Sequence, residues 1–448
     1  MRKDLLADFG KYVSLNVLSM LALSVYILAD TFFVANGLGA AGLASLNLAI
    51  SAYNFIYGIA LMLGIGGATR YSIERSRTGS AAEGNRIFTA VVRLGLTVSF
   101  IYVVIGAFWA EPLARLLGAD QDTLAMTTTY LRTILCFSPS FMLSSIVTSF
   151  IRNDGSPRTA MAGMVVSSLS NIVLDYIFIF PLQMGMFGAA FATGLSSVIG
   201  LMVISPYFIK GKNNFRLQKL STPLRLYGNI CALGAASLVT ELASGIVLIV
   251  FNLRLVQLGG NLAVAAYGVI ANLSIITIAV FTGIGQGVQP LLSSNHGAGR
   301  SENVKYLLKY SVILSSLTAA VVIGVIAAFG EPIADSFNGD NNPLFTTIAA
   351  EGLRIYFLGF LFAGLNVLFS IYFSAVEEPR LGFMISVLRG FALVVPLALL
   401  LSQIWGVTGI WLTFPVTEAL VFALMVPKLK GFQRSESPMR GQPRRVEV

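Results

Sequence analysis

The chain has 448 residues, of which 56% are hydrophobic and only 11% are charged, and its formal net charge is +9. Soluble domains carry about 25% charged residues, and apolar runs of about 20 residues recur here from end to end, so the composition excludes a water-soluble fold. The two cysteines, Cys136 and Cys231, lie in apolar segments without a CxxC spacing, which argues against a disulfide framework or a zinc site.

The apolar segments predict an all-α integral membrane protein with twelve membrane-spanning helices. The first follows a basic N-terminus without a small-residue cleavage site, so we interpret it as a retained helix and not a signal peptide. Several segments exceed the length needed to cross a bilayer, which allows tilt. In chain order the predicted spans are 12–35, 42–69, 87–109, 124–151, 160–181, 187–209, 228–253, 262–292, 306–330, 346–375, 382–404 and 407–427.

The connections between these spans alternate in charge. Most of the Lys and Arg residues lie in one set, which includes both termini and the stretch 210–225, whereas the other set is short and neutral or acidic. The positive-inside rule therefore predicts a multi-pass plasma (cytoplasmic) membrane protein with both termini in the cytoplasm. The basic charge then reflects topology and contact with anionic membrane lipids, and we expect no nucleic-acid partner.

The chain also repeats itself with a period near 220 residues. Glu111-Pro112 recurs as Glu331-Pro332, and several other short motifs recur in the same order at the same offset. Six spans per half give two parallel, pseudo-symmetric six-helix bundles around a central cavity. We predict an N-terminal lobe (1–209), a cytoplasmic basic linker (210–226), a C-terminal lobe (227–430) and a disordered cytoplasmic tail (431–448).

Four carboxylates lie inside apolar segments: Asp30, Asp175, Glu241 and Glu418. An acid inside a membrane costs at least about 2.5 to 3.5 kcal/mol, so it usually faces a cavity, a partner or a transported ion. Neither Asp30 nor Asp175 has an ionisable counterpart in the other half. This asymmetry suggests that an ion-responsive site lies in the N-terminal lobe.

Three motifs resemble the MATE (multidrug and toxic compound extrusion) transporter family. They are Ala29-Asp30-Thr31-Phe32-Phe33-Val34 in helix 1, the Asn-x-x-x-Asp run from Asn171 to Asp175 in helix 5, and the Gly-x-x-Gly-Ala-Ala-x-Ala-Thr run from Gly185 to Thr193 in helix 6. The resemblance covers about residues 5–430. Two features depart from it: residues 12–35 contain no proline, and residues 352–375 contain no carboxylate.

This resemblance implies a multidrug efflux antiporter that exports amphipathic, often cationic compounds by alternating access against an inward H⁺ or Na⁺ gradient. It implies a cation-coupling site formed by Asp30, Asn171, Asp175 and Thr193, with Glu241 resembling an acid of the second lobe in some members. We expect no cofactor, and the coupling ion is H⁺ or Na⁺.

The residues support this N-lobe site independently. Given the predicted orientation, Asp30, Asp175 and Thr193 share one depth, and Asn171 lies on the same helix face as Asp175. The residues allow three interpretations of this site. The two carboxylates could exchange protons, or their oxygens could bind Na⁺ together with Asn171 and Thr193. The polar groups could instead serve helix packing alone. Glu241 and Glu418 lie near mid-span, where each could bind a cationic substrate or pair with a neighbouring hydroxyl.

Other functions are less well supported by the residues. A flippase for a lipid-linked saccharide is the alternative, but a pyrophosphate cargo would need several deep arginines. A membrane enzyme would need a clustered nucleophile and base, which we do not find, and we predict no catalytic residues. We expect a monomer, and we expect His296, in the segment SSNHGAG, to be solvated in a loop.

Overall fold

A computed structural model describes residues 2–219, 222–339 and 342–436, and it is all-α over these ranges. The helices are α1 (Arg2–Thr78), α2 (Ala81–Phe108), α3 (Ala110–Leu116), α4 (Leu124–Cys136), α5 (Ser138–Asn153), α6 (Pro157–Ile179), α7 (Gly185–Ile209), α8 (Leu224–Gly297), α9 (Ser301–Ser336), α10 (Pro343–Phe357), α11 (Phe360–Ala375), α12 (Pro379–Val387) and α13 (Val394–Glu436). A single π-helical turn, Leu388–Ala392, joins α12 to α13.

The twelve predicted spans correspond to these helices once their bends are taken into account. Within the described residues, seven helices are long and apolar enough to cross a membrane, and two bent pairs, α4–α5 and α10–α11, add two more spans. Three of the seven each contain a break with non-helical backbone angles, at Gly39, Gly260 and Gly406. Each break divides one long helix into two spans, which confirms the predicted all-α fold with twelve spans.

The internal repeat is visible in the backbone as well as in the sequence. Left-handed residues recur 220 to 222 positions apart: Gly39 and Gly260, Gly79 and Gly299, Gly185 and Gly406. Glycine is favoured at these bends because it has no Cβ to clash in that region. Gly155 and Glu377 form a fourth pair, and Glu377 adopts the same left-handed region despite its side chain. The two halves therefore bend at equivalent places.

The apolar cores follow the two halves. One core contains mainly residues between 247 and 432, with Phe9 and Val13 of α1 packed onto it. Two smaller cores lie in the first half, one around Phe150 and Phe215 and one around Leu131 and Ile134. The helix α13 continues to Glu436, so the first residues of the predicted disordered tail are helical, and 437–448 lie outside the described residues.

The segment between the halves is attached to the N-terminal lobe. The backbone N–H of Asn214 donates to Asp154 (2.9 Å), and that of Gln218 donates to Thr89 (3.0 Å). Between them, Phe215 is fully buried in an aromatic cluster. The predicted linker thus begins as a packed part of the first lobe.

The backbones of the two lobes contact each other at the end of the bundle where the chain begins. A Cβ at Gly66 would lie 2.1 Å from the Ile230 carbonyl oxygen, and one at Gly283 would lie 2.6 Å from the Cα of Val17. Only glycine permits such an approach, so Gly66 and Gly283 allow the helices of the two lobes to pack closely.

Polar side chains seal the same seam. Asn16 donates to the Gly283 carbonyl (3.1 Å), and Gln289 donates to Thr69 (2.7 Å). We call this layer, which also contains Arg70, Arg152 and Glu377, the closed face. The lobes are therefore held together at the end of the bundle that carries the N-terminus.

Candidate functional site

Asp30 and Asp175 approach each other inside the N-terminal lobe. Asp30 lies on the first arm of α1, nine residues before the bend at Gly39, and Asp175 lies one turn before the end of α6. Asp30 is 9% exposed and Asp175 is fully buried, and the two carboxylates are close enough to interact electrostatically. The two acids predicted to share one depth are thus neighbours in space.

Asn171 and Thr193 complete this cluster. Asn171 is fully buried one turn before Asp175, and its side-chain amide donates to the Thr193 hydroxyl (3.3 Å). That hydroxyl in turn donates to the Ala189 carbonyl within α7 (3.1 Å). Tyr130 of α4, which sequence reasoning missed, interacts with both acids and with Thr193. We call Asp30, Asn171, Asp175, Thr193 and Tyr130 the acid cluster.

The acid cluster contains more acceptor oxygens than donors. Within the described part of the chain, Asp30 Oδ1, Asn171 Oδ1 and both carboxylate oxygens of Asp175 are buried without a hydrogen-bond partner. Buried acceptors of this kind are costly unless a proton or a cation occupies them. Carboxylate, amide and hydroxyl oxygens are also the ligands that a hard cation prefers. These oxygen atoms could therefore bind either H⁺ or Na⁺.

A cavity of about 100 Å³ adjoins the acid cluster through Thr193. It lies between both arms of α1 and the helices α5, α6 and α7, and Gln286 of the C-terminal lobe also lines it. Its lining combines several hydroxyl groups with four aromatic rings. The lining residues are Met20, Leu23, Tyr26, Tyr53, Tyr57, Leu61, Phe141, Ser144, Ser145, Thr148, Ser149, Arg152, Met164, Ser167, Ser168, Thr193, Ser196, Ser197 and Gln286.

Glu241 lies on α8 at the seam between the lobes. Its side chain is half-buried and packs near Gly58 of α1, where an added Cβ would lie 3.3 Å from the Glu241 Cβ. It also interacts electrostatically with Tyr53 and Tyr57, which line the cavity. Glu241 is therefore outside the acid cluster but lies near two of the tyrosines that line the same cavity.

Glu418 has a partner that the sequence analysis did not identify. Arg389 donates to its Oε1 from Nε (3.0 Å) and Nη2 (2.6 Å), and Asn366 donates to its Oε2 (2.7 Å). Arg389 lies in the π-helical turn, and Glu418 is only 2% exposed. Instead of pairing with a hydroxyl or facing the substrate path alone, Glu418 forms a buried ion pair inside the C-terminal lobe.

Glu377 links the lobes at the closed face. Arg70 of α1 donates to it (2.8 Å), as does Arg77, and His296 Nε2 lies 3.5 Å from it. Burial alone would raise the pKa of Glu377, but the hydrogen bonds from His296 and Arg77 and the charges of Arg77 and Arg70 lower it to about 2. The expectation that His296 is solvated is wrong, because α8 continues through it and leaves its side chain only 12% exposed.

Comparison with known proteins identifies the family. The MatE family model matches residues 16–177 and 234–400, which is more than half of the chain. The Multidrug export protein MepA of Staphylococcus aureus (strain MSSA476) is 25% identical over 382 residues, covering 84% of this chain and 83% of that protein. MepA of Staphylococcus saprophyticus subsp. saprophyticus is 24% identical over 380 residues with the same coverage.

Solved structures share the fold. An outward-facing multidrug resistance MATE family transporter of the MOP superfamily superimposes with a TM-score of 0.90 at 20% identity, over 96% of both chains. A MOP superfamily transporter from Pyrococcus furiosus superimposes with a TM-score of 0.89 at 19% identity, again over 96% of both. The chain belongs to the MatE family, and it is a multi-pass membrane transporter and not an enzyme.

Proposed function

We propose that this protein is a cation-coupled multidrug efflux antiporter, driven by H⁺ or Na⁺ through the acid cluster. The unpartnered oxygens of Asp30, Asn171 and Asp175 carry this proposal. A buried pair of acids without donors is poorly solvated as two anions, so it gains by taking up a proton or a cation. The names of the MepA relatives, which are multidrug export proteins, support small-molecule export.

The proposed orientation places the closed face toward the cytoplasm. The Lys- and Arg-rich connections lie at this end, and the positive-inside rule assigns such loops to the cytoplasmic side. The contacts at the closed face would then hold the transporter shut toward the cytoplasm. An ion would enter the acid cluster from outside and would be released to the cytoplasm after these contacts separate. The carboxylates would then be negatively charged again when the substrate binds from the cytoplasm.

The proposed substrates are small amphipathic compounds, often cationic, and Glu241 is the residue proposed to attract their positive charge. It lies at the seam between the lobes beside Tyr53 and Tyr57. Aromatic faces and a nearby carboxylate are the usual means of holding a lipophilic cation. We retain a lipid-linked cargo only as an outcome of the following test.

The test is efflux of a fluorescent cationic dye from proteoliposomes under separately imposed pH and Na⁺ gradients. Transport driven by the pH gradient and lost in Asp175→Asn supports proton antiport through the acid cluster. Transport driven only by Na⁺ assigns the same oxygens to sodium. If neither gradient moves the dye, cation-coupled drug export fails and a lipid-linked cargo becomes the better hypothesis.

A further inference from the structure

Arg152, on the last turn of α5, is a buried cation that lines the cavity described above. Its side chain is 4% exposed. Nη1 donates to Asn16 Oδ1 (2.7 Å) and to Gln286 Oε1 (3.2 Å), which are both neutral acceptors. Nε is buried without a partner in the described part of the chain. The guanidinium therefore retains hydrogen-bonding capacity next to a cavity.

The charge of Arg152 is not balanced by an acid. Across the described ranges no carboxylate lies within ion-pair distance of it. Asp154, two residues further on, is already engaged by Tyr71, Arg75 and Tyr207. Removing an ion from water costs several kcal/mol, which neutral amides on one nitrogen only partly offset. An anion from outside the protein would complete the pairing.

The wall beside Arg152 is suited to a carboxylate. Ser145 and Ser149 precede it at helical spacing on the same face of α5, and the Ser145 hydroxyl is buried without a partner among the described residues. A planar guanidinium and nearby hydroxyls donate hydrogen bonds to a carboxylate in a matching geometry. One arginine matches one such group, whereas a pyrophosphate would call for several.

We propose that Arg152 and the hydroxyls of α5 bind a carboxylate group carried by transported compounds. This inference rests on the proposed efflux function and adds to it an anionic recognition element. The cavity, at about 100 Å³, is smaller than the roughly 300–1,000 Å³ of pockets that enclose drug-sized ligands. The acidic group therefore lies next to Arg152, and the aromatic body of the compound, which is larger than the cavity, extends past Tyr53 and Tyr57 on its lining.

The test compares two dyes that differ only at the carboxylate: rhodamine 110, which carries a free carboxylate, and its methyl ester, rhodamine 123. Binding to the purified full-length protein is measured by fluorescence anisotropy. Arg152→Gln weakens rhodamine 110 binding by about tenfold, the loss expected for a charge-assisted hydrogen bond, and leaves rhodamine 123 binding within about twofold. Arg152→Lys keeps part of the preference, and the exposed control Arg115→Gln changes neither affinity.

Several results would overturn the inference: no binding of rhodamine 110 to the wild type, equal rhodamine 110 affinities in Arg152→Gln and wild type, or a measurable but equal weakening of both dyes in Arg152→Gln. If Arg152→Gln binds neither dye, Arg152→Lys decides, because retained rhodamine 110 binding supports the inference and an equal loss of both contradicts it. Dye transport in proteoliposomes is measured separately. Selective binding without any gradient-driven transport contradicts the proposed antiport and leaves the carboxylate site standing.

Discussion

Arg70 of the N-terminal lobe donates a 2.8 Å hydrogen bond to Glu377 of the C-terminal lobe, across 307 positions of the chain. Arg77 contacts the same carboxylate, so a single acid on the α11–α12 connection holds two cations of α1. The side chains are about one-fifth exposed, which places the contact at the edge of the closed face. The lobes are thus joined by a charge contact that has to break before this face can open.

Replacing Glu377 by Gln should open the closed face more often. A partly exposed ion pair contributes about 1 kcal/mol, and a carboxylate that binds two arginines contributes somewhat more. Spin labels at Arg158→Cys and Arg380→Cys, both exposed on opposite lobes, report the opening as an added population at longer distance in double electron–electron resonance. Glu378→Gln, at the adjacent carboxylate, is the matched control, and identical distance distributions in the two variants would contradict the prediction.

The Glu377 contact should not depend on pH within the physiological range. Its pKa is lowered from 4.5 to about 2, so its contribution is complete above 4.5 and is lost only as the pH falls toward 2. The side chains that contact it are Arg70, Arg77 and His296. The spin-label distances are measured in a protein that retains Glu377 and carries Asp30→Asn and Asp175→Asn. We expect these distances to be the same from pH 8 to about pH 5. The prediction would be contradicted if the spin-label distance lengthened between pH 8 and about pH 5 and if Glu377→Gln abolished that pH-dependent lengthening.

Asp30→Asn should abolish gradient-driven dye efflux and leave the protein folded. The amide is nearly isosteric with the carboxylate but cannot exchange a proton, and it weakens cation binding. Efflux is measured in proteoliposomes, and folding is checked by size-exclusion chromatography and thermal unfolding. Asp122→Asn, in an exposed connection, is the control and should retain wild-type transport. Normal efflux by Asp30→Asn would remove it from the coupling site.

Glu418→Gln should destabilise the protein, because it leaves Arg389 buried without its counter-ion. Breaking a buried pair by removing one partner costs about 3 to 5 kcal/mol. The double variant Arg389→Gln, Glu418→Gln should recover most of the lost melting temperature, measured by fluorescence-detected thermal unfolding in detergent. A role in substrate binding makes a different prediction: a weakened dye affinity with an unchanged melting temperature.

Gly234→Ala should prevent the lobes from closing fully. An added Cβ would lie 1.9 Å from the Met62 carbonyl oxygen across the seam, and neither backbone can yield without separating the helices. We expect longer spin-label distances at the closed face and reduced efflux. Gly228→Ala is the control on the same helix, since a Cβ there meets nothing within 4 Å. Equal behaviour of the two variants would show that the seam adapts.

The sequence predicted those features that the bilayer itself imposes. Apolar length defined the twelve spans, and depth along each helix placed Asp30 and Asp175 together. The depth argument does not give the rotation of a helix about its axis. Arg389 reaches Glu418 because a π-helical turn reorients α12 relative to α13, and the apolar pattern carries no sign of that turn.

Residues at the closed face were difficult to predict for another reason. Glu377 and His296 lie in polar stretches whose composition is typical of solvated connections, although the structure buries much of each side chain. Their partners come from other helices far along the chain, such as Arg70 for Glu377. Local composition could not show these pairings, since they depend on how the two lobes meet.

The attachment of the linker to the first lobe limits how far the lobes can separate. Gln218 is held by Thr89, and the second lobe begins with α8 at Leu224. Six residue steps separate these two points, and a fully extended chain spans at most about 3.6 Å per residue, or roughly 20 Å in all. The linker therefore limits the distance between the two lobes at this end. A larger separation would first require the hydrogen bond between Gln218 and Thr89 to break.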